Sequence, residues 1–223
     1  MTKPDLMPLA EEERAELLAL LHDLTHAQWD APSLCRKWRV RDVATHVVSY
    51  DELSKVETVT TFLRGGLRIS TVNEVALSRY RDLDPGGIVD LVARNQRPRG
   101  LPTGFKGAIA LTDGTIHHQD IRRALGMPRT IPERRLAAAL TFALSAPTLP
   151  AKSNAKGLKL RATDVDWLTG EGPEVTGPGE ALLMALAGRP QALDELAGAG
   201  LSTLRDRVAS SPRPSATTPD TPI

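Results

Sequence analysis

Asp113-Gly114-Thr115-Ile116-His117-His118-Gln119-Asp120-Ile121-Arg122-Arg123 is the stretch on which the reading of this chain turns. Residues four apart share one face of a helix. Ile109, Asp113, Ile116, His117 and Asp120 therefore line one side, apolar groups mixed with three ionisable ones. The spacing predicts a helix over 106–125, closed by Gly126 and then Pro128. His118 points about 100° away from His117, which reads as solvent or the rim of that face.

Upstream, leucines at helical spacing predict a first helix over 8–27. Glu11, Glu12, Glu13 and Glu16 fall early, toward the positive end of its dipole. Residues 29–38 read as a loop anchored by Trp29 and Trp38. A second helix is expected from Val40 to Arg64, stopped by Gly65-Gly66. A weaker helix follows over 71–81, and another opens at Asp84-Pro85, with Asp84 as its cap. Downstream, 132–146 is an Ala- and Leu-rich helix. The pattern then changes. Leu158–Thr163 alternates with period two, as a half-buried strand does. Two shorter strands are expected near Val165–Leu168 and Glu174–Thr176, then helices starting at Pro178 and Pro190. The expected organisation is a helical bundle over 8–147, a small α+β domain over 155–209, and a Pro-, Ser- and Thr-rich tail over 210–223 with no apolar period, read as disordered.

The 223 residues suffice for a real core, and 41% are apolar. Aromatic residues are only 4%, so Leu, Val and Ala do most of the packing. A net charge of +1 gives no bulk attraction to nucleic acid or anionic lipid, and neither is expected as a partner. No apolar run is long enough to span a bilayer. The single cysteine, Cys35, excludes an intrachain disulfide and suits a reducing cytoplasm. Arg36 and Lys37 beside it favour a thiolate, but no base stands near it in sequence, so it reads as a loop-packing residue.

In the second helix Val43, His46, Val47 and Tyr50 fall on one stripe, which turns His46 inward. A buried histidine and a buried carboxylate are costly unless satisfied, and a cation satisfies both. Two imidazoles and a carboxylate suit zinc with one position left open, and equally iron, nickel or manganese. Asp120 could hold the spare ring nitrogen of a ligand histidine. The plainer alternatives stay open on spacing alone. An acid-x3-His pair is as a rule a pair of solvated helix residues, and a histidine among valines is commonly a hydrogen-bonded core residue. His22 and His26, also four apart, lack an acidic partner and read as surface residues.

Trp29-Asp30-Ala31-Pro32-Ser33-Leu34-Cys35-Arg36-Lys37-Trp38-Arg39-Val40-Arg41-Asp42-Val43-Ala44-Thr45-His46 closely resembles the start of the mycothiol-dependent maleylpyruvate isomerase family, a branch of the DinB-like superfamily. The stretch from Asp113 to Pro128 resembles the second signature of that family. Val165-Asp166-Trp167 through Gly188-Arg189-Pro190 is similar to its small C-terminal domain. The resemblance runs in order over about residues 11–208. It implies a mainly α fold, a DinB-like four-helix bundle followed by a small α+β domain. It also implies a divalent metal, usually zinc, held by His46, Asp113 and His117. The isomerase itself carries the longer glutamate where this chain has Asp113, and Pro-Gly where it has Arg36-Lys37.

The function so implied is that of a metal-dependent transferase or isomerase. Its partners are a low-molecular-weight thiol such as mycothiol and a small electrophile. A metal-bound thiol gives up its proton, and Asp120 or His118 is expected to carry protons. Arg41, Arg122 and Arg123 are expected to hold a carboxylate of the thiol or substrate. A non-catalytic DinB-like metal-binding or interaction module is the alternative. The chain is expected to act as a monomer or homodimer.

Overall fold

The computed structural model describes residues 4–64 and 69–210. The expected stop at Gly65-Gly66 and the expected tail beyond Ser210 lie outside the described residues. In chain order the helices are α1 (Met7–Asp23), α2 (His26–Asp30), α3 (Val40–His46), α4 (Lys55–Arg64), α5 (Ile69–Ser78), α6 (Pro85–Arg94), α7 (Ala108–Leu125), α8 (Glu133–Ala143) and α9 (Ala151–Ala155). Strands β1 (Lys159–Ala162), β2 (Leu168–Thr169) and β3 (Glu174–Gly177) follow, then α10 (Gly179–Leu186), a 3₁₀ turn over Pro190–Glu195, and α11 (Leu201–Ser210).

The molecule is mainly helical. Helices α1, α3, α6 and α7 form a ring in which each packs on two of the others: α1 on α6 and α7, α3 on α6 and α7. Leu17, Leu20, Leu21, Val40, Val43, Val47, Ile88, Leu91 and Ile121 fill the space between them. Helix α7 is buried on nearly every side, with Ala110, Leu111, Gly114, Thr115, Ile116 and Ile121 covered together with His118, Gln119 and Asp120. A helix of that kind is a central one. Gly126, left-handed at φ 65°, ends it as the sequence indicated.

A second core lies around the sheet, whose strand order is β2-β1-β3, with β1 antiparallel to β2 and parallel to β3. Leu160 and Val175 meet across β1 and β3 and pack with Leu136, Leu140, Leu182 and Leu204. Helix α8 contacts both α7 and α10, so the two cores share a wall. Helix α10 ends in a Schellman cap. Gly188 takes φ 87°, its N–H reaches Ala185 O at 3.0 Å, and Arg189 N–H reaches Met184 O at 2.9 Å. This cap aims Arg189 back toward the helical ring.

The expected second helix is broken. It stops at His46, and Val48, Ser49 and Asp51 make tight bonds to residues three back. The Ser49 hydroxyl donates to His46 O at 2.9 Å, and Asp51 is held by a bidentate bond from buried Arg14. The chain restarts at Ser54, whose N–H donates to Glu57 Oε2 at 2.8 Å while Glu57 N–H donates to Ser54 Oγ. That Ser-x-x-Glu capping box is a helix start legible in the sequence. Another, Thr25-x-x-Gln28, opens α2, so the expected first helix over 8–27 ends at Asp23 and a second short helix runs on to Asp30, into the expected loop, burying Trp29.

Candidate metal centre

Helix α3 delivers His46 at its last residue, and α7 delivers Asp113 and His117 one turn apart. The three converge, with ligand-capable atoms all within 4.8 Å of one another. His117 Nε2 lies 3.5 Å from Asp113 Oδ1, and His46 Nε2 lies 3.9 Å from Asp113 Oδ2. These gaps are long for hydrogen bonds. They match the roughly 3.4 Å between ligand atoms placed tetrahedrally about 2.1 Å from a common ion. The two imidazoles stand perpendicular, with centroids 4.8 Å apart. His46 is buried and its Nδ1 has no partner, so hydrogen bonding alone does not account for its position. The donor set is that of a divalent cation, and the residues present fit one.

Aromatic groups frame the pair. Trp38 packs 4.8 Å from the ring of His46 and 6.2 Å from that of His117. Tyr50 meets His46 edge-on and donates its hydroxyl to Asn73 Oδ1 at 2.6 Å. The Asp113 side chain is 42% exposed, whereas those of His46 and His117 are 6% and 12% exposed. The centre is therefore walled on the histidine side and open at the carboxylate.

Electrostatics follow from this arrangement. Burial works to raise the Asp113 pKa, but the imidazoles of His117 and His46 outweigh it and hold the carboxyl well below the usual range. Burial pushes His46 down despite Asp113, which keeps it neutral as a ligand must be. Burial would also lower His117, but Asp113, Cys35 and Asp120 together raise it well above its ordinary value.

On the far side of His117 lies a cluster that sequence reading caught only in part. His117 Nδ1 is 2.9 Å from Asp120 Oδ2, the arrangement expected of Asp120. Arg189 donates to the same carboxylate twice, Nε to Oδ1 at 3.0 Å and Nη2 to Oδ2 at 2.6 Å. The Cys35 thiol donates to Oδ2 at 2.9 Å and lies 3.5 Å from His117 Nδ1. Cys35 thus has an imidazole beside it, contrary to the reading from its local sequence. The histidine lies 82 residues away, so only the fold reveals it. Burial and then Asp120 push the Cys35 thiol pKa up, so it is held as a thiol. Asp120 is fully buried, and Arg189 and His117 hold its carboxyl low against the effect of burial. Arg189 was not singled out from the sequence. Gly188-Arg189-Pro190 did signal the turn that positions it.

The other expected site residues lie elsewhere. His118 is not at the surface or the rim. It is fully buried against α1, with Nδ1 2.8 Å from Glu13 Oε1 and Nε2 accepting from Arg122 Nε at 2.8 Å. Burial, outweighing Glu13, pushes its pKa down to about 4, so it is a neutral strut without reach to the centre. Arg122 is thereby turned toward α1. Arg123 pairs with Glu180 and Glu195 on the C-terminal elements. Arg41 contacts Asp30 at 3.1 Å and lines a groove of about 490 Å³ that Trp38 and Thr45 also border. No helix among the described residues is long and apolar enough to cross a membrane.

Residues 10–61 match the family model described as the mycothiol maleylpyruvate isomerase N-terminal domain. No curated protein matches the chain significantly. Among solved structures, a mutant of the mycothiol-dependent maleylpyruvate isomerase is similar at 17% identity and a TM-score of 0.56, over 89% of this chain and 96% of that one. Another structure of the mycothiol-dependent maleylpyruvate isomerase is similar at 14% identity and a TM-score of 0.52, over the same shares. The resemblance of this sequence to the mycothiol-dependent maleylpyruvate isomerase family therefore holds at two levels, in the N-terminal signature over residues 10–61 and in the fold over most of the chain.

Proposed function

We propose that this chain is a metal- and thiol-dependent transferase or isomerase acting on a small electrophile, with a mycothiol-type thiol as cosubstrate and His46, Asp113 and His117 as ligands of a divalent ion, zinc by preference. The observation that carries this reading is the convergence of two neutral-capable imidazoles and one carboxylate at ligand spacing, open on one side. The similarity to the isomerase supports the thiol.

A divalent ion bound there supplies Lewis acidity, which lets a thiol react as thiolate near neutral pH. The rest falls to the chain. Asp120 accepts from His117 Nδ1 and so turns the Nε2 lone pair toward Asp113 and His46. Asp120 is a positioning residue, because its ionised carboxylate, held by Arg189, His117 and Cys35, has no proton to give. Trp38 and Tyr50 exclude water from the histidine side. The open side at Asp113 is the approach for the thiol or substrate, and Arg41, on the wall of the separate groove past Trp38, is the group offered to a carboxylate reaching beyond it. Thiol chemistry of this kind belongs in the reducing cytoplasm.

Elemental analysis under chelator-free preparation tests the metal. We expect one divalent ion per chain, lost in His46→Ala and His117→Ala variants that still fold. Thiol-dependent turnover of a maleyl-type electrophile tests the chemistry. An ion bound without any thiol-dependent turnover would instead favour the non-catalytic binding module, and a metal-free folded protein would overturn the proposal.

A further inference from the structure

We propose that the cavity between α7, residues 126–132 and the start of α10 is a second binding site, built for a small organic anion with an apolar body. This goes beyond the proposed function and does not depend on it. The cavity measures about 620 Å³, a size typical of small-ligand pockets, and Met127, Ile131, Leu136 and Val165 supply apolar wall. It is separate from the metal centre. Arg122 stands nine residues after Asp113 on α7, which places it about 180° around the helix.

Three arginines line the cavity. Arg123 is engaged by Glu180 and Glu195. Arg129 is engaged by Glu13, Glu16 and the side-chain oxygen of Gln119. Arg122 differs. Its Nε donates to His118 Nε2 at 2.8 Å and its Nη1 to Met127 O at 3.3 Å, both neutral acceptors. Among the described residues it contacts no carboxylate, and its Nη2 donates to none of them. The guanidinium is thus fixed in place, half-buried, with a donor edge left over and no carboxylate in hydrogen-bond contact, although Glu16 and Glu13 act on it at longer range. Glu133 and Asp164 on the wall are occupied by backbone amides, accepting from the N–H groups of Asp166 and Gly179. A carboxylate or sulfonate is the group that completes a fixed guanidinium. The apolar wall selects the rest of the molecule.

The test is a millimolar titration of the full chain with benzoate, and with benzyl alcohol as the uncharged control, followed by backbone amide shifts. We expect saturable benzoate shifts over residues 126–131 and at Val165, and binding of benzyl alcohol at least about tenfold weaker. Arg122→Gln should weaken benzoate by a similar factor. Val165→Phe should do so too, by narrowing the cavity while leaving every bond of the arginine intact, so the outcome does not depend on Arg122→Gln folding well. Equal binding of the two probes would overturn the proposal. So would shifts centred on Trp38, His46 and Asp113, unchanged affinity in both variants, or no saturable binding.

Discussion

Replacing Asp120 by leucine separates two things its carboxylate does. The side chain is fully buried and accepts four bonds, two from Arg189 and one each from His117 and Cys35. Its loss leaves the Arg189 guanidinium, 8% exposed, without a counter-charge. Breaking one partner of such a buried pair costs about 3–5 kcal/mol. For a chain of 223 residues that lowers Tm by roughly 6–20 °C. Removing both charges is a different perturbation. Asp120→Leu with Arg189→Met puts apolar groups of similar size in the same space. It should recover all but about 1–2 kcal/mol, the cost of leaving the His117 N–H without its acceptor. Metal affinity follows another course. In both variants His117 loses the group that fixes its tautomer, so affinity should fall about 10–100-fold and stay low in the double variant. Urea unfolding of the metal-free proteins and competition against a chromophoric chelator measure the two quantities. A double variant as unstable as the single one would refute the ion-pair account. Unchanged metal affinity in either variant would refute the orienting role.

Three further outcomes are expected. Asp113→Ala should abolish stoichiometric metal, whereas Asp113→Glu, which restores the residue of the resembled isomerase, should retain it by elemental analysis. Acid stability should report the buried cluster on α1 and α7. Glu13 is pulled from 4.5 down to about 2 against its burial by His118 and Arg129, and His118 is pushed from 6.5 down to about 4 by burial. Each group binds fewer protons folded than unfolded, Glu13 between pH 2 and 4.5 and His118 between pH 4 and 6.5. Stability therefore falls with acid through both windows, at about 1.4 kcal/mol per pH unit for each proton. His118→Gln should flatten urea-derived stability between pH 5 and 6.5, and an unchanged slope would show that His118 titrates normally. Gly188→Ala forces a side chain into a left-handed turn and should cost about 1–2 kcal/mol of unfolding free energy.

The parts of the fold that could be read from sequence were those governed by local rules. The α7 span, its Gly126 stop, the Asp84 cap on α6 and the period-two strand β1 each depend on a few neighbouring residues. Turn spacing on α7 and an apolar stripe on α3 raised His46, Asp113 and His117 as candidates with plainer readings left open, and the family resemblance is what implied them as a ligand set. What escaped depended on distant partners. His118 looked like a rim residue because nothing local announces Glu13, 105 residues earlier. Cys35 and Arg189 join Asp120 only through the fold, 85 and 69 residues apart from it. The break after His46 is an error of another kind. The Ser54-x-x-Glu57 box was present, and the apolar period around it obscured it.

The half-open carboxylate at Asp113 has a kinetic consequence. Ions shut inside a helical ring escape only when the ring loosens, so their release tracks unfolding. Here one candidate ligand, Asp113, already stands in contact with water, and an ion bound as proposed would come and go through that gap while the helices stay packed. Occupancy would then follow the free metal outside on the timescale of ligand exchange, and a chelator would strip the centre from a protein whose circular dichroism does not change.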